Sequence, residues 1–250
     1  MIAVGVDSAR NVYVAGFETG IASGKDFRMI KYSSGGEILW TKAYRGPGGG
    51  DDVPAALRIV RRRSGLKILT ELAVAGYSKS PATGVDAVTT VLNSDGTTRW
   101  TRTFEAPGLD TKVRAKAVTS DSSGYVYVAA AGDCGGFYVL KYDASGNVVW
   151  KQNYNGGLGA DYPEAIAVDG ARNVYVTGLS QIGSNSYDFI TLKYDAAGNH
   201  KWEGRYDGSA HGYDWARAIA VDNAGYVYVT GSSDGAGTKK DFVTIKYKPD

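Results

Sequence analysis

An all-β fold assembled from five copies of one four-stranded unit is what this sequence predicts, and three observations predict it. Four tryptophans close near-identical stretches, GGEILW at Trp40, DGTTRW at Trp100, SGNVVW at Trp150 and AGNHKW at Trp202, at intervals of 60, 50 and 52 residues. Ahead of each lies an apolar motif, at residues 12–16 (VYVAG), 72–76 (LAVAG), 126–128 (VYV) and 174–178 (VYVTG). A fifth copy of it, at 227–231, has no tryptophan after it. Finally, short alternating runs broken by Gly, Asp and Asn fill the chain, with no helical period. Self-similarity at about fifty residues, with four strands per unit, describes a β-propeller. A sandwich or up-and-down barrel has no use for the same four-strand unit five times.

The fourth unit shows each element in order. Residues 165–168 (AIAV) form a short apolar inner strand, and 169–173 turn the chain into a second strand at 174–178. After a loop of variable length, 189–194 give an alternating third strand. The turn DAAGN at 195–199 leads into the fourth strand around Trp202 and Tyr206. Asp, Gly and Asn at these turns tolerate left-handed backbone or bond their own main chain. The expectation is one propeller domain over 1–250, with blades near 1–50, 51–110, 111–158, 159–210 and 211–250. The last blade is expected to lack its outer strand, since three residues follow 242–247: either the chain is a piece of a larger propeller or blade five stays three-stranded. Its third strand is then an open edge, a natural place for self-association.

Composition suits this architecture and excludes several functions. Of 250 residues 43% are hydrophobic, enough to fill a core, while 34 glycines and 18 tyrosines fit tight turns between pleated strands. A formal net charge of +2 makes no electrostatic case for a nucleic-acid or membrane partner. No apolar run nears the twenty residues of a membrane-spanning helix. The single cysteine, Cys134, rules out an internal disulfide framework and has no evident partner base, so an inert, buried or incidental thiol is expected. The start MIAV has no basic segment and no signal core, so the expectation for an exported parent protein is a signal outside this chain.

The segments IAVDGARNVYVTG, DFITLKYDAAGNHKW and IAVDNAGYVYVTG resemble the SBBP-type bacterial β-propeller repeat, similar in plan to NHL blades. The resemblance covers nearly the whole chain. It implies an exported or cell-surface protein with a binding or scaffolding role and no defined catalytic residues. The tryptophan-bearing strand also resembles the docking repeats of quinoprotein propellers, but no residues here support their cofactor site.

Blade two departs from the pattern. Its inner strand and second strand are separated by about seven extra residues, including Arg61, Arg62 and Arg63, and the Asp-x-x-Gly-Asn turn is missing. An extended hairpin with a tip solvated by its arginines is expected; contact with a polyanion is the sharper alternative.

Function is expected on the face that carries the variable loops, since recognition sits on variable segments held by a rigid scaffold. These are residues 17–25, 77–85, 132–136, 179–187 and 232–240, and the blade connections 45–54, 105–114, 155–164 and 207–216. Asp51 and Asp52, Asp110, Asp161 and Asp214 recur before the inner strands. Each carboxylate is suited to accept backbone N–H bonds where blades join. As an alternative, Asp52, Asp110, Asp161 and Asp214 gather near the axis as a Ca²⁺ site. Asp26, Asp86, Asp188 and Asp241 recur before third strands and carry the same structural reading. Glu164, His211, Tyr213 and Trp215 occur once each and are more informative. The ligand-binding set is Tyr162, His211, Tyr213 and Trp215; His200 and His211 are not at metal-ligand spacing. The sequence therefore reads as a non-catalytic binding or scaffold propeller, extracellular or at the cell surface, taking a glycan or protein. The alternative is a carbohydrate-active hydrolase using Glu164, Asp161, Asp214 and His211, which needs two carboxylates at a defined separation.

Overall fold

A computed structural model of the chain describes residues 2–20, 24–81, 83–106, 112–156, 159–183 and 186–249. Nineteen strands form five antiparallel sheets. Blade one is β1 (Ala3–Val6), β2 (Val12–Gly20), β3 (Gly24–Tyr32) and β4 (Ile38–Tyr44). Blade two is β5 (Asp52–Ser64), β6 (Lys67–Ser80), β7 (Gly84–Asn93) and β8 (Thr98–Phe104). Blade three is β9 (Val113–Ser120), β10 (Val126–Gly132), β11 (Phe137–Tyr142) and β12 (Val148–Tyr154). Blade four is β13 (Asp161–Val168), β14 (Val174–Gly183), β15 (Ser186–Tyr194) and β16 (His200–Tyr206). Blade five has only β17 (Trp215–Val221), β18 (Val227–Ser233) and β19 (Asp241–Tyr247). The sheets run in chain order, so each blade is a four-strand meander and the fifth a three-strand one. The variable segments are longer hairpins rather than loose loops: β2 reaches Gly20, β6 reaches Ser80 and β14 reaches Gly183.

A polar latch sets the first turn of four blades. Asp7, Asp121, Asp169 and Asp222 accept backbone N–H groups of their own turns. Each also accepts the hydroxyl of the tyrosine in the next strand, Tyr13, Tyr127, Tyr175 or Tyr228, at 2.9–3.1 Å. Alanine at 73 stands where the other blades have the tyrosine, and the long β5–β6 hairpin replaces the latch. There Ser64 pairs with Lys67, so the turn is two residues, with Leu66 fully exposed at its tip. Only part of the arginine run is solvated. Arg61 and Arg63 are exposed, whereas Arg62 and Arg99 both donate to Glu71 Oε1, at 2.9 and 2.6 Å, and Glu71 is buried. Removing a buried carboxylate that two guanidinium groups share leaves both unpaired. Glu71→Ala is therefore expected to cost about 3 kcal/mol in a urea melt, and a change within about 0.5 kcal/mol shows that solvent takes over its role.

Blades are joined through the tryptophans. On the fourth strands Trp40, Trp100, Trp150 and Trp202 hold equivalent register, opposite Lys31, Val91, Lys141 and Lys193. Trp100 and Trp150 are buried; Trp40 and Trp202 are half-buried. Each of the first three donates its indole N–H to a turn carbonyl of the following blade, Ser94, Ala144 or Ala196, at 3.0–3.2 Å. The indole lies on the turn glycine (Gly96, Gly146 or Gly198), where an added Cβ would sit 2.7–2.9 Å from the ring. Buried clusters fill the four junctions between consecutive blades. Among the described residues none joins blade five to blade one. Val4 and Val6 on β1 are 57% and 58% exposed, and Phe242 on β19 is 80% exposed. The matching residues Phe27 and Phe189 in blades one and four are fully buried.

Candidate functional site

The inner strands of blades two to five share a β-bulge near their start. Ladder pairing steps from Pro54 to Ala56, Ala115 to Ala117, Pro163 to Ala165 and Ala216 to Ala218. The skipped residues are Ala55, Lys116, Glu164 and Arg217. A bulge re-aims the extra side chain out of the alternating pattern, which is why bulges collect beside sites. The repeat thus presents one freely variable residue per blade at the same height: neutral, cationic, anionic, cationic. Aligning PAAL (54–57), AKAV (115–118), PEAI (163–166) and ARAI (216–219) reveals this position as the variable letter in an otherwise apolar motif.

Two of these residues, Lys116 and Glu164, face a cleft of about 220 Å³ between blades three, four and five. Tyr162, Leu179, Tyr187, Tyr213 and Trp215 complete its wall. Tyr187 and Tyr213 stack at 4.6 Å between ring centroids. Their backbones are tied by Tyr187 N–H to Gly212 O at 3.0 Å and Asp214 N–H to Tyr187 O at 2.7 Å. Burial raises the Tyr187 hydroxyl above the ordinary phenol range, helped by neighbouring Tyr213 and Tyr162. Asp234 accepts the Tyr213 N–H at 2.8 Å and the Lys240 ammonium at 2.6 Å, holding that loop. The guanidinium of Arg217 lies 3.3 Å from the Trp215 ring centroid. The wall is therefore aromatic, with one cation and one carboxylate at its edge.

Three residues of the sequence-predicted ligand set, Tyr162, Tyr213 and Trp215, meet in this cleft. His211 does not line it: its side chain is 77% exposed and its Nδ1 sits 2.6 Å from Asp207 Oδ2. That hydrogen bond, and the Asp207 charge, raise the imidazole above its usual range. Tyr187 and Leu179 were hidden in a hairpin read as loop, and Lys116 in an apolar inner strand.

Of the hydrolase candidates only Glu164 reaches the cleft. Asp161 and Asp214 are fully buried and accept Gly156 N–H at 2.5 Å and Gly208 N–H at 2.6 Å. Burial pushes Asp161 upward. Asp52 does the same work for Gly46 N–H at 2.6 Å. The repeated aspartates thus stand one per junction, each fastening a blade connection, rather than converging on the axis; Asp110 lies outside the described residues. Among the described residues, the acidic side chains close enough to share an ion are instead Asp188, Asp207 and Asp214, with oxygens within 4.8 Å of one another. Burial raises Asp188 to about 6, with the Asp207 charge adding to it. Cys134 is exposed, not buried, in the turn between β10 and β11.

Five repeated antiparallel meanders, packed in series, define the protein as a β-propeller. The family model described as SBBP, a beta-propeller repeat, matches residues 153–189 and 205–237. Each matched unit starts at the end of one blade's fourth strand and runs through the connection into the next blade, so the two together hold every lining residue of the cleft except Lys116. No match was found among curated proteins. Among solved structures, a protein of unknown function from Bacteroides caccae is 14% identical, with 94% of this chain and 73% of that one covered and a TM-score of 0.51. A protein of unknown function from Dyadobacter fermentans is 10% identical, with 97% and 77% covered and a TM-score of 0.53. A mutant NanB sialidase from Streptococcus pneumoniae is 12% identical, with 90% of this chain but 36% of that one covered and a TM-score of 0.56. At these identities the likeness is one of fold.

Proposed function

We propose that this propeller is a non-catalytic binding module, exported or at the cell surface, that holds a glycan in the cleft of Tyr162, Tyr187, Tyr213 and Trp215. The observation that carries this reading is the aromatic wall with Lys116 and Glu164 at its rim. Flat rings pack against the C–H faces of sugars while the rim groups bond hydroxyls. At about 220 Å³ the cleft is smaller than the ~300 Å³ at which enclosed small-molecule pockets begin, so it suits one ring of a longer chain lying across the face. A glycan array with the full chain tests it. Binding is expected for a subset of glycans and is expected to fall at least about tenfold in Trp215→Ala and Tyr213→Ala, as for truncated aromatic anchors. A chromogenic glycoside panel runs alongside. Turnover abolished by Glu164→Gln would replace this reading with the hydrolase; a protein ligand competing with the glycans would broaden it.

A second copy of the chain is the partner we assign to the open blade faces. Phe242 repeats Phe189, which packs on the next blade at the fourth junction, and Val4 and Val6 offer an apolar counterpart.

A further inference from the structure

The third-strand aspartates are chemically equivalent positions in four blades, and three of them are served by the chain itself. Asp26 Oδ2 accepts Arg45 Nε at 2.7 Å. Asp86 accepts the Thr83 hydroxyl at 2.7 Å, and Asp241 accepts the Thr238 hydroxyl at 2.7 Å. Asp188 differs: it is 5% exposed and its Oδ1 is sealed from solvent without a hydrogen-bond partner. A buried carboxylate oxygen without a donor costs free energy unless something outside the chain fills the need.

The first and fourth junctions show what that need is. They share a plan: Tyr44 and Tyr206 end the fourth strand, Gly46 and Gly208 donate to Asp52 and Asp214, and Asp26 and Asp188 are the third residues of the third strand. Between the glycine and the tyrosine the first junction has Arg45, whose guanidinium supplies the positive charge. The fourth junction has Asp207 in that position. A chain cation is thus replaced by a third carboxylate, beside a buried carboxylate oxygen that no chain donor serves. Asp207 keeps one oxygen on His211, which lies out in solvent, and Asp214 uses its two oxygens on the N–H groups of Gly208 and Asp234. Each carboxylate oxygen carries two lone pairs, so all three groups retain acceptor capacity.

We propose that Asp188, Asp207 and Asp214 bind a hard divalent cation, Ca²⁺, at the junction of blades four and five. Their oxygens lie within 4.8 Å of one another, the widest separation that two ligands about 2.4 Å from one ion can have. The donors are all oxygen, as Ca²⁺ requires, and water completes the six to eight ligands it takes. Asp188 follows Tyr187, and Asp214 lies between Tyr213 and Trp215. An ion here ties together the two segments that stack Tyr187 on Tyr213, so the site has a role in holding the cleft wall.

The experiment uses the full chain and Ca²⁺ alone, without any glycan, so its outcome is separate from that of the cleft. In EDTA-stripped protein, added CaCl₂ is expected to raise the melting temperature in a saturable way, with EDTA reversing it, and calorimetry is expected to give one site per chain. Asp188→Asn is expected to weaken binding at least tenfold. Asp207→Arg rebuilds the first junction's arrangement in the fourth. It is expected to fold, to match or exceed the metal-free wild-type melting temperature, and to lose the Ca²⁺ response. A wild type indifferent to millimolar Ca²⁺ overturns the proposal. So does a Ca²⁺ response that survives in Asp207→Arg, since the ion then binds elsewhere.

Discussion

Trp150→Ala is expected to destabilise the protein by about 3–5 kcal/mol, the cost of deleting a large aromatic from a packed interior. Trp150 is 9% exposed and lies 6.3 Å from the Tyr127 ring and 6.2 Å from that of Tyr194, so it touches both blades of its junction. Its N–H bond to Ala196 O, at 3.2 Å, is lost with it. Trp100→Ala is expected to behave alike, while the half-buried Trp40 and Trp202 cost less. The partner position gives a sharper check. Gly198 has φ of +90° and a Cβ there would sit 2.8 Å from the Trp150 ring. Gly198→Ala therefore carries two penalties, backbone strain and collision with the indole. In the double variant the collision is gone and only the strain remains, so the two costs are expected to be less than additive. Urea melts of the four proteins measure this. Full additivity, or a Trp150→Ala effect below about 1 kcal/mol, would show that the indole does not hold the junction.

How far the sequence could be read follows from what repeats. Trp40, Trp100, Trp150 and Trp202 were legible as one structural position because each unit must solve the same packing problem with the same residue. The aspartate of the latch and the glycine of the second turn were legible for the same reason. Blade two was legible only as an anomaly: the insertion is visible, but nothing local says that Arg62 folds inward to Glu71, nine residues on, while Arg61 and Arg63 stay in water. The site was half legible. Tyr213 and Trp215 stood out as single-copy aromatics, yet Tyr187 reaches the cleft only because β15 begins earlier than the alternating pattern suggests. Lys116 and Glu164 become neighbours through a bulge, and a bulge adds one residue without changing the hydrophobic pattern on either side. Proximity of Asp188, Asp207 and Asp214 depends on a blade connection folding back over the third strand, a distance of 26 residues along the chain. Repeats disclose what every blade shares; what one junction does alone is set in three dimensions.

The open faces of blades one and five are expected to dominate the dynamics. Phe242 is 80% exposed where Phe27 and Phe189 are fully buried, and β19 has a partner on one side only, β18. Such an edge offers a row of unpaired N–H and C=O groups beside apolar side chains, a template for another strand or sheet face. Hydrogen exchange is therefore expected to be fastest across residues 2–16 and 241–248, where local opening exposes few buried contacts, and slowest in blades three and four. Sedimentation velocity over a concentration series is expected to show association, because a heterologous contact between blade five of one copy and blade one of the next repeats without needing new surfaces. Phe242→Ser separates the two effects. It removes the apolar centre of the face without touching the folded core, so association is expected to fall while the melting temperature stays within about 1 °C, as for surface substitutions generally. Rapid exchange at the two faces of a Phe242→Ser monomer, slowed in the wild type at high concentration, would tie the protection to the contact itself. A strictly monomeric wild type, protected equally in all five blades, would mean that blades one and five need no partner.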